Sequence, residues 1–303
     1  MLRATGTLEH KKDAPFTLLS AAQQAAETLP DLLLEARRVA RTIMSGWHGR
    51  RMAGAGEAFW QFRPFVEGEN AAAIDWRRSA RDDTIYLRDR EWEAAQTAWL
   101  WLDLTKSMQF GSSLSGVTKR ARAIVLTLAM SELLAAGGER TGLLGHTRAT
   151  TRRRAAEIYA EHIARAGVLP SSQGMPAPEG INRFSEVVLF GDFLDPIADL
   201  EAFLHQITRA GTRGHVVQVL DPVEEVFPYT GRVEFQDPET GQKITASRAQ
   251  SYRAEYRERL ESRRQAVKDL CDRLNWTFYV HHTDRPASEV VLTLYNRMSG
   301  GRI

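Results

Sequence analysis

The spacing of apolar positions changes twice along the chain. Between Ala21 and Met44, Leu32, Leu33, Ala36, Val39, Ala40 and Ile43 recur at helical spacing, which predicts helix. Pro30 with Asp31 is expected to split this stretch into two helices or to restart one, because proline suits a first turn. Residues 1–16 read as a loose arm. From Gly46 to Gly68 the periodicity disappears. Five glycines and Pro64 lie among Trp47, Phe59, Trp60, Phe62 and Phe65, which predicts irregular chain with short strands. Thr84–Leu87 is a further strand.

From Thr97 the pattern alternates between short apolar runs and helical stripes. Strands are predicted at 97–102, 140–146, 186–190, 215–220 and 276–280. Helices are predicted at 117–136, 152–166, 197–210, 247–274 and 287–298. The first of these strands, TAWLWL, is apolar on both faces, as a central parallel strand is. Such alternation predicts an α/β fold with a mostly parallel sheet flanked by helices on both faces. Glu224–Ala246 interrupts it with the turn sequences Pro-Tyr-Thr-Gly and Asp-Pro-Glu-Thr-Gly between short alternating runs. This reads as a small β insertion at about 222–246, which could pack with the strands of the 46–90 stretch. Two domains are expected: an N-terminal helical and β-like region over 1–95, and the α/β domain over 96–303.

Composition narrows the functional classes. The 303 residues are 43% hydrophobic and 26% charged, as in globular proteins. Forty basic residues nearly balance 38 acidic ones, so net charge points to no polyanionic partner. Cys271 is the single cysteine, which rules out an intrachain disulfide and a cysteine-built zinc site. No apolar run approaches the roughly 20 residues of a membrane span, and no signal-peptide pattern opens the chain, so a cytoplasmic location is expected.

The predicted strands end on acids: Asp103, Asp192 in VVLFGDF, and Asp221 in VVQVLDP. In an open α/β sheet the carboxyl ends of the strands face a common crevice. Three carboxylates there repel one another unless a cation sits among them. Asp221 precedes Pro222 and reads as a turn residue. Asp103 starts the spacing Asp103-x-Thr105-x-Ser107, which places one carboxylate and two hydroxyls within reach of a single point. These are hard oxygen ligands suited to Mg²⁺ or Mn²⁺. The competing reading of a strand-end aspartate is a turn former or helix cap.

These residues carry a resemblance. The Asp-x-Thr-x-Ser spacing at a first strand looks like the metal-ion-dependent adhesion site of von Willebrand factor A domains. The upstream residues Gly54, Gly56 and Phe59, then Arg63, Phe65, Gly68 and Glu69, then Ile74-Asp75-Trp76, then Ser79-Ala80-Arg81, resemble the hallmark of the family catalogued as domain of unknown function 58. The resemblance is dense over 46–110. It implies a von Willebrand A-like, Rossmann-like domain. It further implies a metal site of Asp103, Thr105 and Ser107, with Asp192 reaching the ion through water. Mg²⁺, or Mn²⁺ or Ca²⁺, would then accept a carboxylate from a protein partner, and the protein would not be an enzyme. Genes of this family often lie beside MoxR-type AAA+ ATPases, which implies chaperone-like or metal-insertion work with such an ATPase. Three departures stand out. Thr105 replaces a serine. Phe65, Glu69 and Asn70 replace a tyrosine and an acidic pair. Gly167–Phe184 lacks the later-loop threonine of adhesion sites, for which Ser171 or Ser172 would substitute.

The alternative function class is a magnesium-dependent phosphohydrolase or nuclease, since acids at strand ends also activate water around a metal. Asp103-x-Thr105 lacks the second acid of a phosphate-transferring Asp-x-Asp pair. No phosphate-binding loop and no nucleophile elbow is present. The clusters Arg50-Arg51, Arg77-Arg78-Arg81 and Arg152–Arg154 read as structural, with Arg63 or Arg81 pairing Asp75 or Glu67. The His281-His282 pair lacks spaced metal-binding partners.

Overall fold

The computed structural model describes residues 18–47, 59–66, 74–81, 84–90, 96–166 and 175–299. These divide into two compact units. One comprises the N-terminal helix and the residues from Gln96 onward, and the other lies within 47–95.

In the smaller unit β1 (Phe59–Pro64) pairs antiparallel with β2 (Tyr86–Arg90). Between them the short helix α2 (Trp76–Ser79) is N-capped by Asp75, whose side chain accepts from the Arg78 N–H at 2.9 Å. Asp75 is thus a cap, where pairing of Arg63 or Arg81 with Asp75 or Glu67 was expected; Glu67 lies outside the described residues. Arg78 lies over the Tyr86 ring, 5.0 Å from its centroid.

The larger unit is a five-stranded parallel sheet in the order β4-β3-β5-β6-β9. Its strands are β3 (Thr97–Leu102), β4 (Arg140–Leu143), β5 (Glu186–Gly191), β6 (Arg213–Leu220) and β9 (Thr277–His282). The chain therefore starts at β3, steps outward to β4, then returns across β3 to continue through β5, β6 and β9. That reversal is the topological switch point of a doubly wound α/β sheet, and it falls between β3 and β5. The connecting helices follow it. On one side α3 (Lys119–Ala136) packs against α4 (Ala155–Ala166) and α8 (Ala287–Ser299), while α5 (Ile197–Arg209) packs against α7 (Arg253–Arg273). Side chains alternate accordingly. Trp99, Trp101, Val187, Leu189 and Val216 join α5 and α7 in one core cluster, while Leu100, Val188 and Phe190 are equally buried at alternate positions. The architecture is a mixed α/β fold of Rossmann-like kind, with its mostly parallel sheet covered by helices.

Two strand glycines have a steric reason. A Cβ on Gly142 would lie 2.6 Å from the Trp99 ring, and one on Gly214 only 2.2 Å from the Trp276 ring. Each indole occupies the place of a missing side chain, a use of glycine where another group approaches the strand closely.

The N-terminal helix α1 (Leu18–Trp47) runs through Pro30, contrary to the expected break. Pro30 itself is exposed. The following turns are anchored by buried Ala36, Ala40 and Ile43, and by Arg37 pairing with Glu132 and Glu157.

The interruption after β6 begins with α6 (Pro222–Val226) and continues as an antiparallel hairpin, β7 (Val233–Gln236) with β8 (Lys243–Ala246). Among the described residues this hairpin forms a two-stranded sheet of its own. It has its own apolar nucleus of Phe227, Phe235, Ala246 and Ala249, with Tyr229 and Tyr256 packed against it. No helix among the described residues is long and apolar enough to cross a membrane.

Candidate functional site

The carboxyl ends of β3 and β5, on either side of the switch point, carry Asp103 and Asp192. Asp103 extends the sheet by one rung, its N–H donating to the Phe190 carbonyl at 2.8 Å. Its side chain then folds back, and Oδ1 accepts the Thr105 N–H at 2.8 Å. This turn starts a short 3-10 helix over Lys106–Gln109 in which Ser107 and Met108 are buried. Thr105 makes no capping bond with its hydroxyl. The Thr105 Oγ1 instead lies 2.9 Å from the Ser107 Oγ. Gly191 lets Asp103 lie against β5, since a Cβ there would be 3.1 Å from the Asp103 Cβ.

Asp192 is fully buried. Its Oδ1 accepts the Leu194 N–H at 3.2 Å and its Oδ2 accepts Lys119 Nζ at 3.0 Å. Its carbonyl accepts the Gln218 side-chain amide at 2.9 Å. The next residue, Phe193, has a left-handed backbone with φ 49°. That conformation is strained for a bulky residue. It is held by Arg263 of α7, whose Nε donates to the Phe193 carbonyl at 2.9 Å and which also bonds the Asp195 carbonyl.

Lys119 went unremarked in the sequence, and it is the cation that the converging acids call for. It is 1% exposed and also donates to Glu224 at 2.8 Å. Burial pulls its ammonium pKa down, but Asp192 and Glu224 more than offset this and leave it above the ordinary lysine value. A lysine on the first turn of a helix opposes the macrodipole, and that mismatch was the one signal available in the sequence. One ammonium does not neutralise the whole group. The Asp103 carboxyl is pushed up to about 7, first by burial and then by the charge of Asp192.

Asp221, expected to be a turn residue, is instead the N-cap of a helix. It caps α6 in a capping box with Glu224, and it also accepts from the Ser112 N–H and from the hydroxyls of Ser112, Ser115 and Thr283. Burial works against its ionisation, but these bonds hold its carboxyl below the usual range. Its oxygens are committed to fixing the 112–115 loop. His281 is buried, while His282 pairs with Glu225 at 3.0 Å. Ser171 and Ser172 lie outside the described residues.

Glu239, at the tip of the β7–β8 hairpin, was also missed. Its Oε1 accepts the Ser107 N–H at 2.9 Å across 132 residues of chain. No sequence spacing announces such a contact.

A carboxylate and two hydroxyls are oxygen donors of the kind that a small hard cation takes. The two hydroxyl oxygens, 2.9 Å apart, are hydrogen-bonded to each other. No group of three or more His, Cys, Asp or Glu side chains placed to hold a metal occurs among the described residues. Any ion here would depend on hydroxyls and water to complete its shell.

Fold and site together define a doubly wound α/β protein with an acid-and-hydroxyl cluster at the sheet's switch point. The family model described as protein of unknown function DUF58 matches residues 61–266, and the chain belongs to that family. Uncharacterized proteins of Mycobacterium tuberculosis and Mycobacterium bovis are each 26% identical to it over 234 residues, covering 71% of both chains. Among solved structures, it is similar to the conserved hypothetical protein BatB from Bacteroides thetaiotaomicron, with a TM-score of 0.41 and 12% identity over 68% of this chain and 100% of that one. An aerotolerance-related membrane protein from Bacteroides fragilis gives a TM-score of 0.40 at 13% identity, over 68% of this chain and 100% of that one.

Proposed function

We propose that the protein is a divalent-cation-dependent protein-binding module, built on a von Willebrand A-like domain and accessory to a MoxR-type AAA+ ATPase in chaperone-like or metal-insertion assembly. The observation that carries this reading is the cluster at the switch point: Asp103 at the end of β3 with the Thr105 and Ser107 hydroxyls 2.9 Å apart. Asp103, Thr105 and Ser107 hold Mg²⁺, with Mn²⁺ or Ca²⁺ as substitutes. The Asp192 Oδ2 is already bonded to Lys119, so Asp192 orients metal-bound water instead of ligating directly. The bound ion supplies an open coordination position for an acidic side chain of the partner. Lys119 pairs with Asp192 and holds it in place. The turn at Asp103 and the hydroxyl–hydroxyl bond fix the segment, so little order has to be created when an ion binds.

Isothermal titration with Mg²⁺ and Mn²⁺ tests this on the wild type and on Asp103→Ala. Binding to the wild type and none to the variant is expected, with the thermal midpoint of the variant unchanged or raised because a buried, partly protonated acid has gone. Equal heats from both proteins would refute the site. Retention of a MoxR-type ATPase on the tagged protein is expected in Mg²⁺ and lost in chelator.

A further inference from the structure

We infer that the outer edge of the parallel sheet, at residues 148–152, takes an extended acidic segment of another protein as an added strand. This does not rest on the cation reading. β4 ends the sheet order and pairs with β3 on one side only. Along its other side the chain returns, and Thr150 forms an isolated antiparallel bridge with Thr141. The two exchange both backbone bonds, at 2.9 and 2.7 Å. Residues flanking such a hydrogen-bonded pair turn their N–H and C=O groups the opposite way. Ala149 and Thr151 therefore direct theirs outward, and no backbone bond joins either to a described residue. The segment is held in shape beforehand. The Thr147 hydroxyl accepts the Leu143 N–H at 2.9 Å, and the Tyr159 hydroxyl donates to that of Thr141 at 2.9 Å.

Charge and chemistry select the occupant. Residues 140–156 contain five arginines and no acid, in a chain whose charges otherwise nearly balance. Arg154 pairs with Glu157. Arg148, Arg152 and Arg153 are exposed and form no ion pair among the described residues. Arg152 and Arg153 also precede the positive end of α4, where acids are the stabilising choice. No large hydrophobic residue within 140–166 is exposed, so nothing there stacks on a base or enters a bilayer. Only a polypeptide offers N–H and C=O groups at strand spacing. A second copy of the same edge is a poor occupant, because like charges placed opposite one another repel. The partner is thus an extended segment read by its main chain at Ala149 and Thr151, and by its acids at Arg148, Arg152 and Arg153.

The full-length protein is titrated, in chelator and at low salt, with a labelled peptide of alternating glutamate and valine, read by fluorescence anisotropy. Controls are the same peptide N-methylated throughout, its glutamine twin, and a DNA duplex. The wild type should bind the acidic peptide at millimolar concentration or below, and each twin about tenfold more weakly. The double variant Arg152→Ala, Arg153→Ala should also lose about tenfold while keeping the urea midpoint of the wild type. Amide exchange at Ala149 and Thr151 should slow when the peptide binds, and at Thr150, already bonded, it should not change. Equal binding of the N-methylated peptide would reduce the contact to charge alone and overturn strand addition. Tighter binding of the duplex than of the peptide would overturn the choice of partner. Arginines that merely guard a bare edge predict self-association of the double variant with peptide affinity unchanged, and that result, or no peptide binding by the wild type, would overturn the inference.

Discussion

Replacing Lys119 with methionine tests the electrostatics of the site most directly. The ammonium is 1% exposed and bonds Asp192 at 3.0 Å and Glu224 at 2.8 Å, whose side chains are 0% and 11% exposed. Methionine fills nearly the same volume, so packing is kept and the charge is lost. Removing one partner of a buried ion pair costs about 3–5 kcal/mol, because the remaining charge is left without compensation. Glu224 retains a narrow path to water, which places the expected loss near the lower end, about 3–4 kcal/mol. A domain of this size loses roughly 2–4 °C per kcal/mol, so the thermal midpoint should fall by about 6–16 °C. Urea denaturation at pH 7 measures the loss, with the triple variant Lys119→Met, Asp192→Asn, Glu224→Gln as control. The triple variant should recover more than half of the deficit, since neutral amides leave no buried charge. A single-variant loss below about 1 kcal/mol would refute the reasoning, because it would mean that water already solvates the two acids.

Two further outcomes follow from packing and titration. Gly214→Ala should destabilise by about 1–3 kcal/mol or more, as overpacking does, because the new Cβ would sit 2.2 Å from an indole that is pinned by the 3.0 Å bond from Trp276 Nε1 to Thr208; urea denaturation would show it, and an unchanged midpoint would mean that the ring moves freely. His281 is held neutral down to about 3, first by burial and then by the charges of Arg122 and His282. Its folded pKa lies below the unfolded value, so its stabilising contribution is complete above about 6.5 and shrinks by about 1.4 kcal/mol per pH unit as pH falls toward 3. His281→Leu should flatten the pH dependence of the urea midpoint between 6.5 and 4, and an unaltered slope would assign that acid limb to other groups.

Much of the fold was legible because local periodicity and strand composition act over short distances. Thr97–Leu102 was read with its observed limits, since six consecutive apolar or β-favouring residues fit a strand buried on both faces. The hairpin was legible from its two turn sequences, whereas the helix that Asp221 caps was not. The run of α1 through Pro30 was not. Propensity says that proline ends a helix, but here buried alanines and Arg37 hold the turns that follow it.

The sequence by itself determined which acids and hydroxyls lie at strand ends, because the two-residue period and the Asp-x-Thr-x-Ser spacing are properties of neighbouring residues. Only the tertiary structure decided that β3 and β5 are adjacent, that Lys119 enters between Asp192 and Glu224, and that Glu239 reaches Ser107. Each of those contacts spans tens to more than a hundred residues. Such pairings are set by the order in which strands stack and by the cost of leaving buried charge unmatched, and neither leaves a local mark in the chain.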